Sequence, residues 1–139
     1  MEIEVLTKDN LQMKFILKGV RAPFANALRR IMTSEVPTLA IDDVIIVENT
    51  SPMYDEVLAH RLGLIPMKTN LEMFSKPGEC ECKGTGCSKC QVVLTLDKKA
   101  VDGPLTVYSG DLKSQVSEVE PSTPIIPIVK LSRGQRVVL

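Results

Sequence analysis

Ala25–Met67, ANALRRIMTSEVPTLAIDDVIIVENTSPMYDEVLAHRLGLIPM, is the stretch whose reading decides the fold. Phe24, Ala27, Leu28 and Ile31 fall at i, i+3, i+4 and i+7, one stripe of a helix running from about Phe24 to Glu35. Pro23 suits its first turn, where a missing N–H costs nothing, and Pro37 drives Val36 out of the helical region. Leu39-Ala40-Ile41 and Val44-Ile45-Ile46-Val47 are nearly continuous apolar runs, expected to form a strand covered on both faces. A second helix is predicted over about Asp55–Leu62. Asp55 and Glu56 suit the positive end of its dipole, and His60 and Arg61 the negative end. Gly63 is placed to cap it, Pro66 blocks its return, and Tyr54, Leu58 and Leu62 form its apolar edge. By themselves these residues imply a packed α+β core.

Outward from this block, Met1–Gly19 reads as a hairpin. Ile3 and Val5 alternate with Glu2 and Glu4, and Leu11, Met13, Phe15 and Leu17 with Gln12 and Lys14, around a Lys8-Asp9-Asn10 turn. Ile16 breaks the alternation, which predicts cover on both faces there. Gln91–Leu96 and Leu105–Tyr108 are short strand candidates separated by the polar segment Lys98–Gly103. Ser109–Ser122 is polar and acidic, a surface loop by default. Pro124–Leu131 returns to an apolar strand whose prolines point to an edge. Ser132–Arg136 looks like a turn, and Val137–Leu139 opens a strand that does not complete.

Composition narrows the functional classes. Lys plus Arg and Asp plus Glu balance at 17 each, so no basic field marks a nucleic-acid footprint. No apolar run reaches the roughly 18 residues a membrane span needs, and no signal-peptide pattern opens the chain, so a cytoplasmic location is expected. Eight glycines and nine prolines among 139 residues is ordinary usage and argues against wholesale disorder.

All four cysteines lie close together, as Cys80-x-Cys82-x4-Cys87-x2-Cys90, with Gly84 and Gly86 between the pairs. Four thiolates around one point suit tetrahedral zinc, and the last pair has knuckle spacing. The glycines let the backbone bend so that both pairs converge. Reduced unliganded thiols, a disulfide framework and an iron–sulfur cluster are the alternatives. A cytoplasmic chain disfavours disulfides, and the bacterial ferredoxin spacing is not matched. Zinc is the expected occupant, with no open coordination position and hence a stapling role.

Asn26-Ala27-Leu28-Arg29-Arg30, followed some thirty positions later by His60-Arg61-Leu62-Gly63-Leu64-Ile65-Pro66, resembles the α-like assembly subunit family of cellular RNA polymerases. The resemblance runs through essentially the whole chain and points to the archaeal D-type version. That version is related to the third-largest subunit of eukaryotic polymerase II and to bacterial α. It implies an α+β fold with a discontinuous dimerisation domain, residues 1–40 with 126–139. A mixed α/β domain, residues 41–125, is inserted between them and carries the cysteine loop 80–90. Eukaryotic relatives hold structural zinc in a similar cluster, from which the spacing here departs by one residue. The resemblance further implies pairing with the smaller α-like subunit L through Phe24, Ala27, Leu28, Arg29, Ile31 and Met32. The small subunits N and P then join, forming a platform for the large catalytic subunits. Relatives continue with C-terminal strands, a long helix and in many cases an iron–sulfur module; the chain is thus expected to be a truncated or split subunit, the N-terminal portion.

No catalytic residue is expected. His60 is the only histidine and lacks an evident reactive partner. Asp42, Asp43 and Glu48 could be read as a Mg²⁺ cluster, but the resemblance assigns that ion to the largest subunit, which leaves them as turn and strand-end charges. Arg21, Arg29 and Arg30 lack the aromatic interleaving of a nucleic-acid surface and suit protein contacts better. Two other classes compete with the scaffold: a stand-alone zinc ribbon that binds nucleic acid or a regulator, and a small redox protein using Cys87 and Cys90.

Overall fold

A computed structural model describes residues 1–9, 12–83 and 85–139. Asn10, Leu11 and Gly84, read above as turn, strand and loop residues, lie outside the described set. The chain divides into two compact units, Met1–Val36 and Pro37–Leu139.

In the first unit, β1 (Glu2–Lys8) and β2 (Met13–Lys18) form the expected antiparallel hairpin, with a register shift between Val5 and Thr7. Lys18 Nζ reaches Glu4 Oε2 across it at 2.6 Å. Gly19 turns the chain out of β2 at φ 69°, a left-handed value that glycine adopts without strain. Helix α1 (Ala22–Ser34) has Pro23 in its first turn, where no amide bond is lost. Thr33 and Ser34 hydroxyls donate to the carbonyl of Arg30, and Glu35 ends the helix. No residue of α1 is buried. Ile16, predicted to be covered on both faces, is exposed.

The second unit holds the apolar core. After β3 (Glu48–Asn49), helix α2 (Asp55–Gly63) buries Leu58 and Leu62 completely. Strands β4 (Leu94–Thr95), β5 (Asp97–Lys99), β6 (Leu105–Tyr108), β7 (Lys113–Ser114), β8 (Pro127–Leu131) and β9 (Arg136–Val138) follow in order. They form three small sheets, β3-β9-β5, β4-β7 and β6-β8, every pairing antiparallel. Leu96, Val107, Ile128, Leu131 and Val137 join Leu58 and Leu62 as fully buried side chains. Burying each of these contributes about 1.5–3 kcal/mol.

Several expectations shift here. Residues 39–47 are not a strand and are covered on one face only: Leu39, Ile41, Val44 and Ile46 pack against the core, while Ile45 and Val47 point away. Gly63 is the last residue of α2 and has no positive φ, so it is no left-handed cap. Its reason is proximity, because a Cβ there would meet the Ile41 carbonyl oxygen at 3.3 Å. Tyr54, assigned to the apolar edge of α2, is 79% exposed.

The polar stretch Asp97–Lys99 is a strand, because β9 offers it a free ladder and Arg136 offers Asp97 a bidentate partner at 3.0 and 2.7 Å. Residues 126–139, grouped above with 1–40, lie in the second unit, where Ile128, Leu131 and Val137 fill the core. The segment read as a surface loop is pinned at several points. Leu112 and Val119 are buried, Met67 bridges Pro121, and Ser109, wholly buried, donates its hydroxyl to the Thr123 carbonyl and accepts from the Ile126 amide.

Candidate functional site

The cysteine loop is built from two tight turns. The Lys83 amide donates to the Cys80 carbonyl at 3.0 Å, and the Cys90 amide to the Cys87 carbonyl at 2.9 Å. Lys83 and Gly86 supply the reversals between them, with φ of 51° and 87°. Any side chain at Gly86 would run into that of Gln91, since a Cβ there would sit 2.0 Å from Gln91 Oε1. The Ser75 amide, donating to the Lys89 carbonyl, ties the entry of the loop to its exit.

These turns bring the four thiols together. Cys80 Sγ lies 3.5 Å from Cys87 Sγ, Cys82 Sγ 3.5 Å from Cys90 Sγ, and Cys87 Sγ 3.8 Å from Cys90 Sγ. All four sulfurs fall within 4.8 Å of one another. A tetrahedral zinc–thiolate site, with bonds near 2.3 Å, needs sulfurs about 3.8 Å apart, and the set fits it. Cys80 and Cys90 are buried, Cys82 and Cys87 half-buried. The Cys87 amide, the largest single influence, draws the Cys90 thiol down; burial and the neighbouring thiols outweigh it and push it up to about 12. A proton is therefore what a metal would displace. Lys89 Nζ pairs with Glu81 at 3.1 Å on the rim, where hydrogen bonding to that carboxylate raises its pKa.

Among the described residues, these cysteines are the only grouping of three or more His, Cys, Asp or Glu placed to share an ion. Asp42 and Asp43 are exposed, whereas Glu48 faces Arg136 Nη1 at 3.3 Å, so the three make no cation site. His60 is exposed on α2. Its neighbour Arg61, not singled out above for any contact, donates Nη2 to the Pro127 carbonyl at 2.7 Å and lines a shallow groove with Met53, Thr106 and Lys130.

The residues expected at a partner face all lie on α1. Phe24, Ile31 and Met32 are 49%, 45% and 48% exposed; Ala27 and Arg29 are exposed and Leu28 is half-buried. On the opposite strands Ile3, Val5, Leu6 and Met13 are likewise open to solvent. Much of the apolar surface of this small unit is thus open to solvent.

Residues 40–139 match the RNA polymerase Rpb3/RpoA insert domain family, and the chain belongs to it. Its relatives are subunits of a transcription enzyme. The chain is 46% identical over its full length to DNA-directed RNA polymerase subunit Rpo3 of Methanosarcina acetivorans, and 48% identical to that of Methanosarcina mazei. Against the Rpo3 of Pyrococcus furiosus it is 46% identical over 99% of its length. The chain spans about half the length of these relatives, 52% of both Methanosarcina proteins and 49% of the Pyrococcus one. No described helix is long and apolar enough to cross a membrane.

Proposed function

We propose that this chain is a non-catalytic assembly subunit of a cytoplasmic DNA-directed RNA polymerase of the archaeal D type. The observation that carries the proposal is that the whole of this chain is similar to about half of the length of Rpo3 subunits. Residues 1–40, with 126–139, contribute the pairing domain, and α1 meets subunit L through Phe24, Ala27, Leu28, Arg29, Ile31 and Met32. The absence of any buried residue on α1 supports this, because an obligate interface resembles a domain core cut in half. The pair, with small subunits N and P, then forms a platform for the large subunits. Nucleotidyl transfer belongs to the assembled complex.

Cys80, Cys82, Cys87 and Cys90 would hold a structural Zn²⁺, which supplies cross-linking of the loop and no chemistry at substrate. The loop has little apolar content of its own, so its two turns need such a staple to stay converged.

Co-expression with subunit L, followed by native mass spectrometry, tests both parts. A one-to-one heterodimer carrying one zinc is expected. A monomer would overturn the pairing, and a metal-free heterodimer the staple. Salt-dependent binding of nucleic acid by the chain alone would favour a zinc-ribbon module instead.

A further inference from the structure

The four thiols of the cysteine loop are not equivalent. Cys80 and Cys90 are buried, whereas Cys82 and Cys87 are half-buried and open to a small solute. Each half-buried thiol has a buried one in contact: Cys87 Sγ lies 3.5 Å from Cys80 Sγ, and Cys82 Sγ 3.5 Å from Cys90 Sγ. A disulfide needs about 2.05 Å between sulfurs, so a shift of roughly 1.5 Å closes either pair. Both contacts cross the loop. Cys80 and Cys82 belong to its first turn, closed by the Lys83 amide on the Cys80 carbonyl, and Cys87 and Cys90 to its second. Joining Cys80 to Cys87 and Cys82 to Cys90 therefore ties turn to turn twice.

Other pairings do less. Cys87 Sγ also lies 3.8 Å from Cys90 Sγ, but that bond leaves Cys80 to pair with Cys82 across the single residue Glu81, a ring that strains disulfide geometry. It also ties each turn only to itself. The remaining arrangement joins Cys80 to Cys90, the two buried thiols that an oxidant reaches last.

We propose that this loop is an oxidation site for hydroperoxides, which exchange its metal staple for two crossed disulfides, Cys80 with Cys87 and Cys82 with Cys90. Hydrogen peroxide transfers one oxygen to the half-buried Cys87 or Cys82 sulfur, leaving a sulfenic acid and releasing water. The buried partner sulfur then attacks that sulfur. The S–S bond forms, and the sulfenic hydroxyl leaves with the partner's proton as a second water. Two peroxides thus oxidise four thiols to two disulfides and are reduced to four waters. A dithiol reverses the change by exchange. Each disulfide removes two thiolate ligands, so a bound zinc is released; this part rests on the zinc staple proposed above, whereas the pairing stands on the thiols alone. Because both forms join the same two turns, the loop stays closed through the exchange.

Hydrogen peroxide added to the zinc-loaded chain, with released metal read by a chromogenic chelator, tests this. One zinc should appear for every two peroxides consumed. Digestion without reduction at Glu81, Lys83 and Lys89 then places each cysteine on its own peptide, and mass spectrometry should find Cys80 with Cys87 and Cys82 with Cys90. Limited proteolysis of residues 76–89 should be as slow in the oxidised chain as in the zinc form, and about tenfold faster once a dithiol and a chelator are added together. Zinc retained after two equivalents of peroxide, sulfinic acid at Cys82 or Cys87, or a Cys87–Cys90 bond would each overturn the oxidation site. A chain isolated without zinc would overturn the staple alone, and the same two disulfides formed in it would uphold the oxidation site.

Discussion

The two units solve the problem of stability in opposite ways. Met1–Val36 pairs a hairpin with a helix and buries none of the residues of that helix, whereas Pro37–Leu139 closes fourteen apolar residues into one cluster. Apolar side chains are not scarce in the first unit; Phe24, Ile31, Met32, Ile3 and Val5 are each left about half exposed. Exposed apolar area contributes no burial energy until something covers it. The second unit thus carries its own stability, and the first carries a surface.

The sharpest test of that contrast is a pair of matched truncations. Leu62→Ala, in the fully buried site on α2, should destabilise the second unit by about 2–5 kcal/mol in urea unfolding. Met32→Ala on α1, where the side chain is exposed, should change stability by about 0.5 kcal/mol or less, as at ordinary surface sites. Comparable losses would break the comparison.

For Leu28→Asp the loss should appear in association. Titration with subunit L should show affinity reduced about thirtyfold or more, the scale of an interface hot spot, with the circular dichroism spectrum unchanged. Wild-type affinity in the folded variant would remove α1 from the interface.

A smaller, local effect is expected at the metal loop. Cys87→Ser, or a chelator, should abolish zinc in native mass spectra and open residues 76–89 to protease. Exchange protection at β6, β8 and β9 should stay as it was, since none of these strands belongs to the loop.

The least of the effects concerns acid. Hydrogen bonding from Arg136 holds the Asp97 carboxyl below its usual value, and Lys98 with the Tyr108 amide does the same for Asp111 against an opposing push from burial. A carboxylate whose pKa falls on folding stabilises fully above its unfolded value, near 3.9, and progressively less as pH drops through the folded one. The melting temperature of the second unit should therefore fall below about pH 4, with a shallower fall in Asp97→Asn.

Helical and hairpin periodicities were legible because they are local. The stripe of α1, the buried Leu58 and Leu62 of α2, and the β1–β2 alternation each stand in a few consecutive residues. The convergence of the four thiols was also legible, from cysteine spacing and Gly86.

What escaped depended on partners far along the chain. Asp97–Lys99 has no apolar signature and is a strand only because β9 lies beside it. Residues 39–47 have the apolar runs of a covered strand, but among the described residues they form no strand and only one face of them packs on the core. Gly63 looked like a cap because its role, room for the Ile41 carbonyl, involves a residue more than twenty positions away.

The order of strands in the β3-β9-β5 sheet sets a schedule for synthesis. Its middle strand is the last of the three to leave the ribosome, and Arg136 joins Glu48 across 88 positions of sequence. At roughly 5–20 residues per second, β3 waits about 4–18 s for the strand that completes its ladder. The hairpin of the first unit, whose pairings close within eighteen residues, is under no such delay. During translation the hairpin can thus form before the core of the second unit is complete, and for those seconds the nascent chain shows apolar side chains that the finished second unit encloses.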